Sequence, residues 1–345
     1  MKIGSKTVGP LNPVFIIAEA GVNHNNRLSL AFKMIDLAAK SGADAIKFQS
    51  FITDNMQLKE SKKPRYQNKL PWSYYDQLKK SESSFDFQTK LIKYCKKKKI
   101  IFLSTPYDEE SIDFLVKMKI PAFKISASDT TNHLLLKYVA KQKKPIILST
   151  GLSTIEHVDE AVKLMKKLKM KNKLILLQTT SDYPTPNDDV NLRVMSEYIS
   201  RYNLPVGLSD HTSDYVASLG AVAMGACVLE KHFTLNKKLS GPDQSSSLSP
   251  NEFKTWIKKV RTMEIILGEP KKFITKSEKE NLSMRKILII KPTKKDTKIT
   301  LNLLSAKRGR NNGVLPLEKN IHKILGKKLK HTINSEIQFN WNMIN

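Results

Sequence analysis

The stretch IILSTGLSTIEHVDEAVKLM, from Ile146 to Met165, holds one complete structural unit. Ile146–Thr150 is a short apolar run of strand length, and Gly151 interrupts it. Ser153-Thr154-Ile155-Glu156 then reads as a capping box, in which a hydroxyl and a carboxylate satisfy the free amides of a helix start. Beyond it Val158, Ala161, Val162 and Met165 share one face at helical spacing. A strand that feeds straight into an amphipathic helix predicts a βα unit and a parallel sheet.

Working outward, the same alternation recurs on both sides. The other strand candidates are Val14–Glu19, Ala45–Gln49, Ile100–Thr105, Ala122–Ile125, Leu174–Thr179, Val206–Leu208 and Cys227–His232. Most are followed by a helical pattern, and residues 28–41 form one such helix, stopped by Gly42. Ser249-Pro250-Asn251-Glu252 opens a last helix that Gly268 closes. Eight βα units within about 268 residues match a (β/α)₈ TIM barrel. A doubly wound open sheet is the alternative, but the chain lacks its G-x-G-x-x-G turn. The connection from Ser50 to Glu82 is long for a βα loop and predicts an excursion over the barrel mouth.

After Gly268 the pattern changes. Residues 269–284 are polar and charged and read as a linker, and residues 285–345 read as a small β-rich domain. Its apolar runs are Ile287–Ile290, Ile299–Leu304 and Ile337–Trp341. About 60 residues make a weak core, which gains from docking on something larger.

The chain has 59 basic and 32 acidic residues, a net charge of +27. Only 8 of the 59 are Arg, and Arg is the residue that reads guanine, so the charge does not argue for a nucleic-acid reader. No apolar run is long enough for a membrane span, and residues 1–20 lack the order of a signal peptide. Cys95 and Cys227 read as core thiols of a reducing compartment, so a cytoplasmic protein is expected.

A barrel of this kind carries its site at the C-terminal strand ends. Polar residues gather there: Glu19, Lys47, Gln49, Thr105, Lys124, Ser149, Ser181, Tyr183, Ser209, His211, Glu230 and His232. Lys47 and Lys124 amid hydroxyls suit a phosphate or carboxylate, although a lysine at a strand end also serves as a neutralised structural group. His211 and His232 end adjacent strands and suit a divalent metal, although either could be a hydrogen-bonded structural histidine. His24 either reaches the site from the first loop or serves its turn. There is no G-x-x-x-x-G-K-[ST], H-E-x-x-H, G-x-S-x-G or C-x-x-C motif, which excludes several other chemistries. What remains is metal-assisted carbonyl chemistry on an anionic substrate.

These residues stand in nine strings whose order resembles the N-acetylneuraminate (sialic acid) synthase family. They are AEAGVNHN (18–25), IKFQ (46–49), FLSTP (102–106), FKI (123–125), LSTG (148–151), TSDYP (180–184), GLSDHT (207–212), EKHFT (230–234) and SGPD (240–243). The first string and Lys-Phe-Gln-Ser are most similar to the N,N'-diacetyllegionaminate synthase branch. The tail resembles the family's antifreeze-like (SAF) domain.

The resemblance implies condensation of phosphoenolpyruvate with an N-acylated amino-sugar aldehyde to a nine-carbon 2-keto acid. It implies Mn²⁺, with Mg²⁺ or Co²⁺ as alternatives, on His211 and His232. It implies phosphoenolpyruvate on Lys47, Gln49, Thr105, Lys124, Ser181 and Ser209. Glu19, Tyr183 and Asp243 match positions near the sugar, and Asp129 matches the water-addition step. A domain-swapped homodimer would supply Arg308, or its neighbour Arg310, to the other subunit's sugar site. One departure stands out: the family's phosphate-contacting Ser falls on Ala127, within Ser126-Ala127-Ser128. Two other readings are an aldol synthase acting on a sugar phosphate and, more remotely, a non-catalytic polyanion- or glycan-binding module.

Overall fold

The computed structural model describes residues 1–67 and 71–345. Eight parallel strands form a barrel: β1 (Phe15–Gly21), β2 (Ala45–Ser50), β3 (Ile101–Pro106), β4 (Phe123–Ile125), β5 (Ile146–Ser149), β6 (Leu174–Gln178), β7 (Val206–Asp210) and β8 (Val228–His232). The ladder runs β3-β2-β1-β8-β7-β6-β5-β4, and β3 and β4 lie side by side at the remaining seam. The eight expected strands are all present, with ends shifted by one or two residues. The helix over Leu28–Ser41 ends on Gly42 in the left-handed conformation, and the helix over Pro250–Leu267 carries the Ser249/Glu252 box.

Strand periodicity explains where the site sits. Successive side chains alternate between the barrel interior and the surrounding helices. Phe15, Ile17, Ala45, Leu103, Ala122, Ile147, Ile175 and Leu177 point inward and pack as one apolar plug. Ile16, Ala18, Ile46, Phe48, Phe123, Ile125 and Leu148 point outward and pack with the helices. Two residues above the plug, the same inward parity places Glu19, Lys47, Thr105, Lys124, Ser149 and Thr179. Burying each aliphatic plug residue contributes roughly 1.5–3 kcal/mol, so the floor under the polar layer is firm.

Three local features were not expected. An N-terminal hairpin, Lys2–Ile3 with Lys6–Thr7, brings Ile3 and Val8 into the plug from below. Glu19 stands opposite Lys47 in the regular register of β1 and β2, and just beyond it the register shifts, so that Phe48 pairs with Gly21. The cap of the Ile155–Lys167 helix falls one residue later than the sequence suggested: Thr154 is the N-cap, and its amide donates to His157 Nδ1 at 3.2 Å. An imidazole thus does the work assigned to Glu156.

The chain divides into two compact units, Met1–Gly268 and Glu269–Asn345. In the second, residues 269–281 are exposed, but Lys276–Lys279 forms a short helix capped by Thr275 and Glu278. Strands β9 (Lys286–Ile290), β10 (Leu304–Arg308) and β11 (Ile337–Gln338) form an antiparallel sheet in the order β10-β9-β11. Its core is Leu288, Ile290, Ile299, Ile324, Leu329, Ile333, Phe339 and Ile344. The run Ile299–Leu304 is not a strand, because a 3₁₀ turn occupies Leu301–Leu303 and β10 begins only at Leu304.

Candidate active site

Above the plug lies a cavity of about 750 Å³. On one side the Lys47 ammonium lies 2.9 Å from Glu19 Oε2, 3.0 Å from Thr105 Oγ1 and 3.6 Å from Glu230 Oε1. Lys124 Nζ lies 3.6 Å from the same Glu230 oxygen, which also accepts from Ser209 Oγ at 3.1 Å. All four charged side chains are buried. Burial, only partly offset by Lys47, pushes the Glu19 carboxyl up to about 7. Burial also favours a neutral Glu230, but Lys124 and Lys47 outweigh it and hold this carboxyl below the usual range. Burial opposes the charge on Lys47 too, yet Glu19 and Glu230 keep it above the ordinary lysine value. Lys124 is brought down to about 8 by burial, with Glu230 opposing and Lys47 adding to the fall. One carboxylate therefore stays ionised between two ammoniums, while the other can carry a proton near neutrality.

The opposite wall holds the histidines. Gly207 is what lets β7 and β8 approach, since a Cβ there would lie 2.2 Å from the Val228 carbonyl oxygen. The His211 and His232 rings stand 5.5 Å apart, and Tyr183 stacks on His211 at 4.1 Å and meets His232 edge-on at 5.3 Å. His211 Nδ1 donates to the Thr180 carbonyl at 2.7 Å, which leaves Nε2 its lone pair. His232 Nδ1 is buried without a hydrogen-bond partner among the described residues, 3.9 Å from Asp243 Oδ2. Burial lowers His211 to about 4 and His232 well below its ordinary value, so both are neutral at pH 7. Two neutral imidazoles, one whose Nε2 keeps its lone pair 3.3 Å from Ser209 Oγ and one with an unpartnered buried nitrogen, fit a divalent cation. Among the described residues no group of three His, Cys, Asp or Glu converges, so water and substrate would fill the other positions.

The excursion after β2 forms the roof. Asn55, Gln57, Arg65, Gln67, Tyr74 and Gln77 line the cavity from it. Arg65 pairs with Asp182 at 2.7 Å, joining the excursion to the loop after β6. Asp129 also lines the cavity; its carboxyl is raised by burial and accepts from Asn132 at 3.0 Å.

Residues 34–272 match the NeuB family. The chain belongs to the NeuB family. It is 42% identical to the N,N'-diacetyllegionaminic acid synthase of Campylobacter jejuni over 327 residues, which cover 93% of this chain and 98% of that one. It is 37% identical to the N,N'-diacetyllegionaminic acid synthase of Legionella pneumophila, over 99% and 97% of the two chains. Among solved structures, the N-acetylneuraminic acid (sialic acid) synthetase of Leptospira borgpetersenii in complex with citrate superposes with a TM-score of 0.74 at 33% identity. That match covers 82% of this chain and 94% of the other.

In this NeuB-family chain twelve of the expected site residues line the one cavity: Glu19, Lys47, Gln49, Thr105, Lys124, Asp129, Ser181, Tyr183, Ser209, His211, His232 and Asp243. Arg308 is exposed on β10, in the second unit. His24 does not line the cavity; it is buried between Phe48 and Phe87 and accepts from the Asn26 amide at 3.0 Å, the turn reading. Ala127 packs where a Cβ on Gly151 would come within 3.2 Å of it and 2.6 Å of Ser181 Oγ, while Ser126 and Ser128 bond each other at 3.0 Å. Glu230 is the residue whose weight sequence reasoning missed. The signal was its inward parity, two residues before His232.

Proposed function

We propose that this enzyme condenses phosphoenolpyruvate with an N-acylated amino-sugar aldehyde, giving a nine-carbon sialic-acid-type 2-keto acid and phosphate. The acceptor is a mannosamine-like N-acetyl sugar or a 2,4-diacetamido-6-deoxy sugar. The observation that carries this reading is one cavity holding a buried double-lysine, double-carboxylate cluster opposite two neutral imidazoles. The names of the relatives support it.

Lys47 and Lys124 bind the phosphate and carboxylate of phosphoenolpyruvate, with Thr105, Ser181, Ser209 and Gln49 adding hydrogen bonds. The enol carbon bonds to the aldehyde carbon, and the aldehyde oxygen takes a proton. Glu19, with its carboxyl near 7, is a suitable donor at neutral pH. Tyr183 and Asp243 orient the sugar beside His211 and His232. Asp129 accepts a proton from the water that adds to the adjacent, phosphate-bearing carbon, left electron-poor by the new carbon–carbon bond; the bond from that carbon to the phosphate oxygen then breaks, leaving the ketone and phosphate. A divalent cation on His211 and His232, Mn²⁺ before Mg²⁺ or Co²⁺, would supply Lewis-acid polarisation of the aldehyde oxygen. Arg308 completes the sugar side in trans within a domain-swapped homodimer; it is exposed and in no ion pair among the described residues. Incubation with phosphoenolpyruvate, Mn²⁺ and a panel of 2-acetamido and 2,4-diacetamido sugars tests the reading. Phosphate release with one acceptor supports it, and none with any acceptor removes it.

A further inference from the structure

Behind the two histidines lies a buried ion pair that the chemistry above does not use. Asp210 and Lys231 are directly opposite in the β7–β8 register, and their charges meet at 3.0 Å with both residues 2% exposed. Each immediately precedes a histidine, and neither lines the cavity. Asp210 Oδ1 accepts from the Thr212 amide at 2.9 Å and from Thr212 Oγ1 at 2.8 Å, and Oδ2 accepts from Ser218 Oγ at 2.5 Å. Lys231 Nζ donates to the Thr212 carbonyl at 2.9 Å. The backbone on both sides of His211 is thus tied to the side chain that precedes His232. A buried ion pair is a poor route to stability, since apolar residues of similar size serve as well. What it adds is direction.

We propose that Asp210 and Lys231 are positioning residues, a cross-strand clamp that sets the separation and aim of the His211 and His232 imidazoles. The inference rests on the reading that these imidazoles hold the cation. Groups that orient metal ligands typically change affinity by roughly 10- to 100-fold when removed. The test is Mn²⁺ titration of the full chain without substrates, followed by electron paramagnetic resonance, for the parent and for Asp210→Asn/Lys231→Met. The double variant removes both charges together, so no unpaired ion is left buried. It is expected to melt close to the parent, to bind Mn²⁺ roughly 10- to 100-fold more weakly, and to recover most of kcat at saturating Mn²⁺. A folded double variant with parental Mn²⁺ affinity overturns the clamp alone. A parent chain that binds no Mn²⁺ overturns the metal reading and the clamp with it. Should the double variant not fold, Thr212→Val decides: it removes one hydroxyl of the clamp and is expected to weaken Mn²⁺ binding several-fold, and unchanged affinity overturns the proposal.

Discussion

Replacing Lys47 by Met separates the electrostatics of the cavity from its packing. Lys47 is the nearest cation to Glu19, at 2.9 Å, and both are buried. At an effective dielectric constant of about 20, that contact corresponds to about 6 kcal/mol of attraction. In the parent the Glu19 carboxyl titrates at about 7, above its value in the unfolded chain. Its protonated form therefore favours the fold fully below about pH 4.5, and that contribution is lost as pH rises to about 7. Above pH 7 Glu19 is ionised in both states and adds no further slope. In Lys47→Met the carboxyl stays protonated in the fold well past pH 7, so stability keeps falling at about 1.4 kcal/mol per pH unit. Between pH 7 and pH 9 the variant should lose about 2–3 kcal/mol more than the parent. Denaturant unfolding of the two chains across pH 5–9 measures this, with intrinsic fluorescence as the signal. Parallel stability profiles above pH 7 would refute the assignment of Lys47 as the group that keeps Glu19 charged.

Other expectations are independent of that one. Because burial lowers His211 to about 4, protons compete weakly for it, so Mn²⁺ affinity should stay nearly flat from pH 7.5 to about 5.5 and fall below; calorimetric titration reads this, and a fall centred near pH 6.5 would contradict it. Arg65→Ala removes the exposed Arg65–Asp182 bridge, worth at most about 1 kcal/mol. Steady-state kinetics should show the acceptor KM rising up to about fivefold, with the phosphoenolpyruvate KM and the melting temperature unchanged. Arg308→Ala and His232→Ala should each be inactive alone, yet mixing them after partial unfolding and refolding should restore about a quarter of parental activity, the fraction of sites with both residues intact in randomly re-paired dimers. If Arg310→Ala complements in place of Arg308→Ala, the trans arginine is Arg310.

The barrel was legible because each of its strands is a short apolar run with polar punctuation, a pattern that local sequence carries by itself. The site residues were legible for a related reason. Lys47 and Lys124 break runs of buried apolar residues at inward-facing positions, and His211 and His232 end adjacent strands. Glu230 was visible only as one more polar residue on the rim. Its place between the two lysines depends on closing β8 against β1 and β7, and no short window of sequence contains that. The Arg65–Asp182 bridge joins residues 117 positions apart, and the Asp210–Lys231 clamp needs the β7–β8 register. The N-terminal hairpin escaped notice because its strands are two residues long, too short for any period. In the tail, Ile299–Leu304 has strand composition, but the 3₁₀ turn at Leu301–Leu303 and the docking of Ile299 in the small core win locally.

The most direct measurement is the mass of the product formed from phosphoenolpyruvate, Mn²⁺ and each candidate acceptor in turn. A nine-carbon keto acid, equal in mass to acceptor plus phosphoenolpyruvate plus water minus phosphoric acid, is expected with an N-acylated, unphosphorylated amino sugar. Turnover only with a phosphorylated sugar, or phosphate release without any coupled product, would contradict it.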